Sequence, residues 1–152
     1  MVHKLREVTL TTIAIALPLL WLAWLALTEW VPMFPLNDLR PGNLRPRLLA
    51  AAINYPFPLL IAAGIALHRP WSLIAASALC GLILVGHLTS WWLPYFGLSS
   101  EAQRQVYERD YARTLKILPA AGHAVVPDVQ HLVVGLLSVA MLGTTLAVTL
   151  AA

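Results

Sequence analysis

The chain has 152 residues, of which 59% are hydrophobic and only 11% are charged, and its net charge is +3. A soluble domain carries about 25% charged residues, so this composition excludes an ordinary soluble protein and indicates one membrane domain, 1–152. The single cysteine, Cys80, excludes intramolecular disulfides, cysteine-rich zinc sites and dithiol redox chemistry. We expect the lipid bilayer, and not nucleic acid, to surround this protein.

Four apolar segments predict transmembrane helices, at residues 8–30, 48–67, 71–95 and 130–151. Each has about 20 or more residues, enough to cross a hydrocarbon core of about 30 Å as a helix. The first segment is too long for the apolar part of a secretory signal, so we expect it to stay in the mature protein. The predicted fold is an all-α bundle of four transmembrane helices.

Prolines interrupt two of these segments. Pro18 lies near the middle of the first and predicts a bend. Residues 54–58 of the second read Asn-Tyr-Pro-Phe-Pro, which removes two backbone donors and predicts a broken helix whose polar groups face the bundle interior. Asn54 is therefore a candidate ligand-binding residue, although a proline kink satisfied by neighbouring helices is a plainer explanation.

The connections differ greatly in length. His68-Arg69-Pro70 is so short that the second and third spans must form an antiparallel hairpin. The long connection from 96 to 129 begins with a capping box, Ser100 with Gln103, followed by apolar residues at helical spacing. This pattern predicts an interfacial amphipathic helix from about 100 to 118.

Basic and aromatic residues concentrate at one edge of the predicted bundle. Its two longer loops hold seven basic residues, Arg40, Arg45, Arg47, Arg104, Arg109, Arg113 and Lys116, against Lys4, Arg6 and Arg69 at the other edge. This favours a cytoplasmic location for the polar edge and both termini outside, although Lys4 and Arg6 argue the other way. The cluster also suits an anionic lipid headgroup, which makes Arg113 a candidate ligand-binding residue.

The aromatic residues of this edge allow two interpretations. They are typical of an interfacial belt, and they would equally form the wall of a site for a quinone or another flat ring. The residues are Trp91, Trp92, Tyr95, Tyr107 and Tyr111, of which Tyr111 is a candidate for ligand binding.

His87 lies about eight residues before the end of the third span, roughly 12 Å below the interface at 1.5 Å per residue. Ionisable residues at such depth are costly to insert, so they usually have a partner or a function. His87 is either a neutral histidine bonded to a carbonyl group or to Asn54, or a ligand-binding residue.

The polar edge also holds a candidate set of metal ligands, Glu29, His87, His123, Asp128 and His131. Nitrogen and oxygen ligands of this kind suit zinc, iron or copper. Asp128 and His131 are three residues apart and share a helix face, although an acidic residue there also interacts favourably with the helix dipole. Haem held by His87 and His131 is less favoured, because their depths differ by roughly 7 Å.

Three stretches carry a resemblance to known proteins. Residues 91–97, 111–119 and 126–131 resemble the C-terminal half of small bacterial four-span membrane proteins, which implies a fold and no activity. Pro-Asp-Val-Gln-His at 127–131 is also similar to the Pro-Asp-x-Asp-His element of membrane-bound metal-dependent hydrolases. Gln130 replaces the second aspartate of that element, and its His-Arg partner motif is missing from the third and fourth spans.

Our preferred hypothesis is a pocket at the polar edge that binds a small ligand, a metal or a lipid headgroup. The pocket would be covered by the helix at 100–118 and bounded by Glu29, Asn54, His87, Asp128 and His131. One alternative is a non-catalytic accessory subunit of a larger homo- or hetero-oligomeric membrane complex. Another is a membrane-embedded metal-dependent enzyme, for which the sequence indicates no complete catalytic set. The expected location is the bacterial cytoplasmic membrane.

Overall fold

The computed structural model describes residues 2–39 and 44–152, so Arg40 lies outside the described residues. Four helical segments are long and apolar enough to span a membrane, Leu5–Trp30, Leu44–Leu67, Pro70–Tyr95 and Val129–Ala151. The prediction of an all-α, four-span bundle is confirmed. The helices are α1 (Val2–Trp30), α2 (Leu44–Asn54), α3 (Pro56–Leu67), α4 (Pro70–His87), α5 (Leu93–Tyr95), α6 (Glu101–Asp110) and α7 (Val129–Ala151), with a π-helical turn, Leu88–Trp92, between α4 and α5.

The four spans pack in a ring, in which α1 contacts α3 and α7, and α4 contacts the same two helices. Their inward faces form one apolar core, to which every span contributes: Ala14, Ile61, Ile65, Leu73, Ala76, Cys80, Met141 and Val148. Small polar residues lie beside this core and are satisfied by nearby partners. Ser77 and Thr149, for example, approach to 2.9 Å between hydroxyl oxygens of α4 and α7.

The second span is broken where its prolines predict a break. α2 ends at Asn54 and α3 begins at Pro56, with Tyr55 between them. The hairpin that follows turns at His68, which adopts a left-handed conformation with φ 49°. Ser72 then donates a hydrogen bond of 2.7 Å to the Gly64 carbonyl, which ties the first turn of α4 to α3.

The connection between α5 and α7 contains a shorter helix than its sequence predicts. The Ser100 capping box is present, but α6 ends at Asp110 rather than near residue 118. Beyond it the backbone makes tertiary hydrogen bonds, with Leu115 N donating to Pro35 O over 2.8 Å and Val129 N donating to Leu115 O over 2.9 Å. These bonds replace the helical ones and attach the segment to the 31–39 loop and to the start of α7.

Candidate functional site

A cavity of about 400 Å³ lies between the spans at the polar end of the bundle. Five of the residues predicted for a site line it, Glu29, Asn54, His87, Tyr111 and His131. The π-helical turn contributes Ser90 and Trp91, which fits the frequent occurrence of such turns at functional sites. Further lining residues are Trp21, Phe57 and Gln130. The cavity therefore combines polar groups with aromatic walls.

Asp128 orients His131 from behind the cavity. Asp128 is the N-cap of α7 and its side chain is fully buried. Its Oδ1 atom accepts hydrogen bonds from the His131 amide over 3.0 Å and from His131 Nδ1 over 2.6 Å. Because a carboxylate only accepts hydrogen bonds, His131 Nδ1 carries a proton and donates it to Asp128.

Two further residues hold the Asp128 carboxylate in place. Thr114 donates a hydrogen bond of 2.7 Å to Asp128 Oδ2. Lys116 Nζ donates to Thr114 Oγ1 over 3.1 Å, to Thr114 O over 2.9 Å and also to Tyr111 O. Burial alone would raise the pKa of Asp128, but the hydrogen bonds and charge of His131, with the Thr114 bond, hold that pKa below its ordinary value of 3.8. Asp128 is thus ionised at neutral pH.

Aromatic rings enclose His131 on two sides. Trp91 stacks on it with ring centroids 3.7 Å apart, and Tyr111 meets it edge to face at 5.2 Å. Trp91 and Tyr111 contact each other in the same edge-to-face manner at 5.1 Å. Burial is the main reason that the pKa of Tyr111 is raised to about 12, so its hydroxyl stays protonated.

His87 also lines the cavity, and its ring lies against α7. A Cβ atom built on Gly135 would come 2.6 Å from His87 Nε2. Among the described residues, that Nε2 atom is the one buried side-chain nitrogen or oxygen that lacks a hydrogen-bond partner. The bond between His87 and Asn54 that the sequence suggests is not formed in the structure.

Glu29 closes another side of the cavity. Its Oε2 atom accepts a hydrogen bond of 2.6 Å from the Tyr55 hydroxyl, which in turn accepts one of 2.9 Å from Trp30 Nε1. The break between α2 and α3 therefore places Tyr55 where it fixes the carboxylate. The hydrogen bond from Tyr55 thus orients the Glu29 carboxylate.

Two predicted site residues lie elsewhere. His123 stacks on Tyr95 with ring centroids 3.9 Å apart, and its Nδ1 atom is 2.7 Å from the Tyr95 carbonyl oxygen. Arg113 forms a bidentate ion pair with Asp38, with a closest N–O distance of 2.7 Å. It does not line the cavity. Arg113 connects the 31–39 loop to the segment after α6.

The predicted metal ligands do not form a group that could hold a metal ion. Over residues 2–39 and 44–152, no three His, Cys, Asp or Glu side chains are grouped so that they could hold a metal ion. The fully buried carboxylate of Asp128 accepts three hydrogen bonds, two from His131 and one from Thr114. Asp128 instead positions His131.

Sequence reasoning missed several contributors to the site. Trp91 is one of five aromatic residues that the sequence does not distinguish from one another, and nothing near Gly135 indicates its contact with the His87 ring. Thr114 and Lys116 carry no local signal, since the periodicity around them predicts a helix that the structure does not form. Their contacts depend on the tertiary position of Asp128.

Comparisons with models of protein families, with curated proteins and with solved structures find no match to this chain.

Proposed function

We propose that this protein binds a small ligand with a polar headgroup in the cavity at the polar end of its bundle. The convergence of Glu29, Asn54, His87 and His131 on one space of about 400 Å³ carries this proposal. Ligand cavities are typically of roughly 300–1,000 Å³, largely apolar, with a few placed polar groups. Polar side chains inside a membrane protein usually mark such a functional site.

The aromatic walls favour an organic ligand over a bare metal ion. Trp21, Phe57 and Trp91 supply apolar contact surface, whereas the grouping of His, Cys, Asp and Glu that a metal requires is missing from the described residues. A flat ring or the head of a lipid matches this mixture of groups. The basic residues of the polar edge support a cytoplasmic location for the cavity, and the resemblance to small bacterial proteins supports a bacterial cytoplasmic membrane.

Two glycines of α4 give a matched test of ligand binding. Gly86 lines the cavity and Gly81 does not, and an added Cβ meets nothing within 4 Å at either position. Gly86→Leu should therefore fill the cavity without disturbing the helix, whereas Gly81→Leu should leave it open. Both variants and the wild type are purified identically, and their bound small molecules and lipids are quantified by mass spectrometry.

A compound retained by the wild type and Gly81→Leu, and lost from Gly86→Leu, supports the proposal. Equal amounts of every compound in all three proteins contradict it. Equal thermal stabilities of the two variants show that the comparison concerns binding and not folding.

A further inference from the structure

The second span separates from the third on the polar side of its break. α3 packs against α1 and α4, whereas among the described residues α2 makes no comparable contact with α4. The hydrogen bonds at the break draw the span towards α1 instead. The Tyr55 hydroxyl donates to Glu29 Oε2 over 2.6 Å and accepts from Trp30 Nε1 over 2.9 Å. A gap between α2 and α4 follows.

This gap opens the cavity towards the side of the bundle. On α4 the cavity is lined by Leu82, Gly86 and Ser90, which recur every four residues on one helix face and are all exposed. Asn54 and Phe57 line it from the second span and are half-buried. Leu82 lies close to the middle of the third membrane-spanning segment. The opening therefore faces the hydrocarbon core of the bilayer and not water.

The polarity of the cavity wall changes with depth in the same sense as that of a membrane lipid. The wall is polar at the end of the bundle, where Glu29 lies in the last turn of α1 and Gln130 in the first turn of α7. Deeper in the same two helices it is apolar. Trp21 lies about 12 Å below Glu29 at 1.5 Å per residue, and Val134 lies one turn below Gln130. A lipid likewise has its polar head at the interface and its acyl chains towards the bilayer centre.

We propose that the cavity binds a membrane lipid, which enters sideways from the bilayer through the gap between α2 and α4. This inference rests on the proposed ligand-binding function and names the class and the source of the ligand. The polar head contacts Glu29, Asn54 and Tyr111, whose carboxylate, amide and hydroxyl groups can hydrogen-bond to it. One acyl chain lies against Trp21 and Phe57. Because the chain exchanges one apolar environment for another, selectivity comes mainly from the contacts of the head.

Lipids with a photoreactive acyl chain test this inference. The protein is reconstituted in vesicles of phosphatidylethanolamine and phosphatidylglycerol, in which a fraction of each lipid carries a diazirine midway along one acyl chain. After illumination, the labelled residues are identified by mass spectrometry of peptides. Trp21 and Val134 line the cavity and are only 5% and 6% exposed, so an acyl chain reaches them through the gap. We expect both residues to be labelled.

Other residues of the same protein calibrate the labelling. Ile61 and Met141 are fully buried in the apolar core and do not line the cavity, so they should stay unlabelled. Leu136 and Val139 are exposed on α7, so the surrounding lipid should label them in every preparation.

The two α4 glycine variants show whether the label enters through the gap. Gly86→Leu fills the cavity beside the gap, so labelling of Trp21 and Val134 should fall severalfold while labelling of Leu136 is unchanged. Gly81→Leu does not reach the cavity and should be labelled as the wild type is.

The inference is overturned if only exposed residues of the wild type are labelled, or if Ile61 and Met141 are labelled as strongly as Trp21 and Val134. These outcomes need only the wild type, so they stand even where a variant fails to fold. Equal labelling of Trp21 in the wild type and in a folded Gly86→Leu variant also overturns it.

Failure of the ligand-binding proposal is separate, since it appears as identical bound compounds in the wild type and in Gly86→Leu. A compound that Gly86→Leu loses, while Trp21 and Val134 of the wild type stay unlabelled, would leave that proposal standing. It would contradict entry from the bilayer and show that the ligand comes from water.

Discussion

Gly135 lies directly against the imidazole of His87. A Cβ atom at residue 135 would be 2.6 Å from Nε2 and 3.1 Å from Cδ2 of that ring. Side-chain carbon atoms do not approach other atoms so closely, so any larger residue must displace His87 or separate α4 from α7. The glycine therefore sets the position of the histidine within the cavity wall.

We expect Gly135→Ala to destabilise the protein by roughly 1–3 kcal/mol, because overpacking a buried contact forces side chains and backbone to shift. Gly143→Ala is its control on the same helix, since a Cβ there meets nothing within 4 Å. That change should be neutral or slightly stabilising. Thermal unfolding in one detergent, followed by circular dichroism, compares the two variants.

A further variant, His87→Ala, tests whether the His87 ring causes the loss of stability in Gly135→Ala. If the clash with the ring is the cause, Gly135→Ala should lower the stability only slightly when His87 is already alanine. The two substitutions would then be strongly coupled in a double-mutant cycle. The same cost in both backgrounds would place the strain elsewhere in the α4–α7 contact.

The sequence predicts the parts of this molecule that depend on local pattern. Span positions follow from hydropathy, and the break near Asn54 follows from two prolines that lack backbone donors. The convergence of His87 and His131 on one cavity also follows, since both lie at the same end of neighbouring spans.

What the sequence misses depends on contacts between distant residues. Helical periodicity continues past Asp110, but the Leu115 amide bonds instead to Pro35 O, over 2.8 Å. His123 has the same chemistry as His131, and only the fold shows that it pairs with Tyr95. Spacing places Asp128 beside His131 without showing that three donors already occupy its carboxylate.

The low pKa of Asp128 predicts an acid-sensitive contribution to stability. The folded-state pKa lies below 3.8, so the contribution is complete well above that value and is lost as the pH falls through the folded-state pKa. Asp128→Asn should remove this part of the pH dependence. It should also destabilise the protein by about 1–3 kcal/mol at neutral pH, because a buried charge-assisted network is weakened.

Melting temperatures measured from pH 7 downwards, for the wild type and Asp128→Asn, check this expectation. The difference between the two proteins should shrink as the medium becomes acidic. A constant difference over the whole range would show that Asp128 does not titrate with a lowered pKa.

Lys116 should act on the site through the backbone that follows α6. Its ammonium group donates to Ala112 O over 3.0 Å and to Thr114 O over 2.9 Å. Lys116→Met keeps the length of the side chain but removes these donors, and we expect a loss of about 1–2 kcal/mol. Hydrogen exchange at the amides of Leu115 and Val129 should accelerate, whereas exchange in the α1 core should change little.

Lys116→Arg is the matched variant that keeps the charge. A guanidinium is planar and larger, so it should restore the overall attraction to Asp128 without all the carbonyl bonds. Full recovery of amide protection by arginine would show that charge matters here, and that the geometry of the ammonium does not.

Arg113 and Tyr111 lie two residues apart, and substitutions at these two positions should differ sharply in their effect on ligand binding. The Arg113 side chain is 60% exposed and pairs with Asp38, so Arg113→Ala should cost no more than about 1 kcal/mol. Because Arg113 does not line the cavity, the amount of the compound that the purified wild type retains should change by no more than about twofold, roughly the scatter expected of a surface change.

Tyr111→Leu removes the edge contacts to both Trp91 and His131. Each aromatic pair is worth about 0.5–1.5 kcal/mol, so we expect the compound that the wild type retains to bind roughly tenfold more weakly when the wall beside His131 loosens. Mass spectrometry of the compounds retained by both variants, purified in the same way as the wild type, tests both expectations. A loss of affinity in Arg113→Ala equal to that in Tyr111→Leu would mean that the ligand contacts the basic surface outside the cavity and not the ring-lined space around His131.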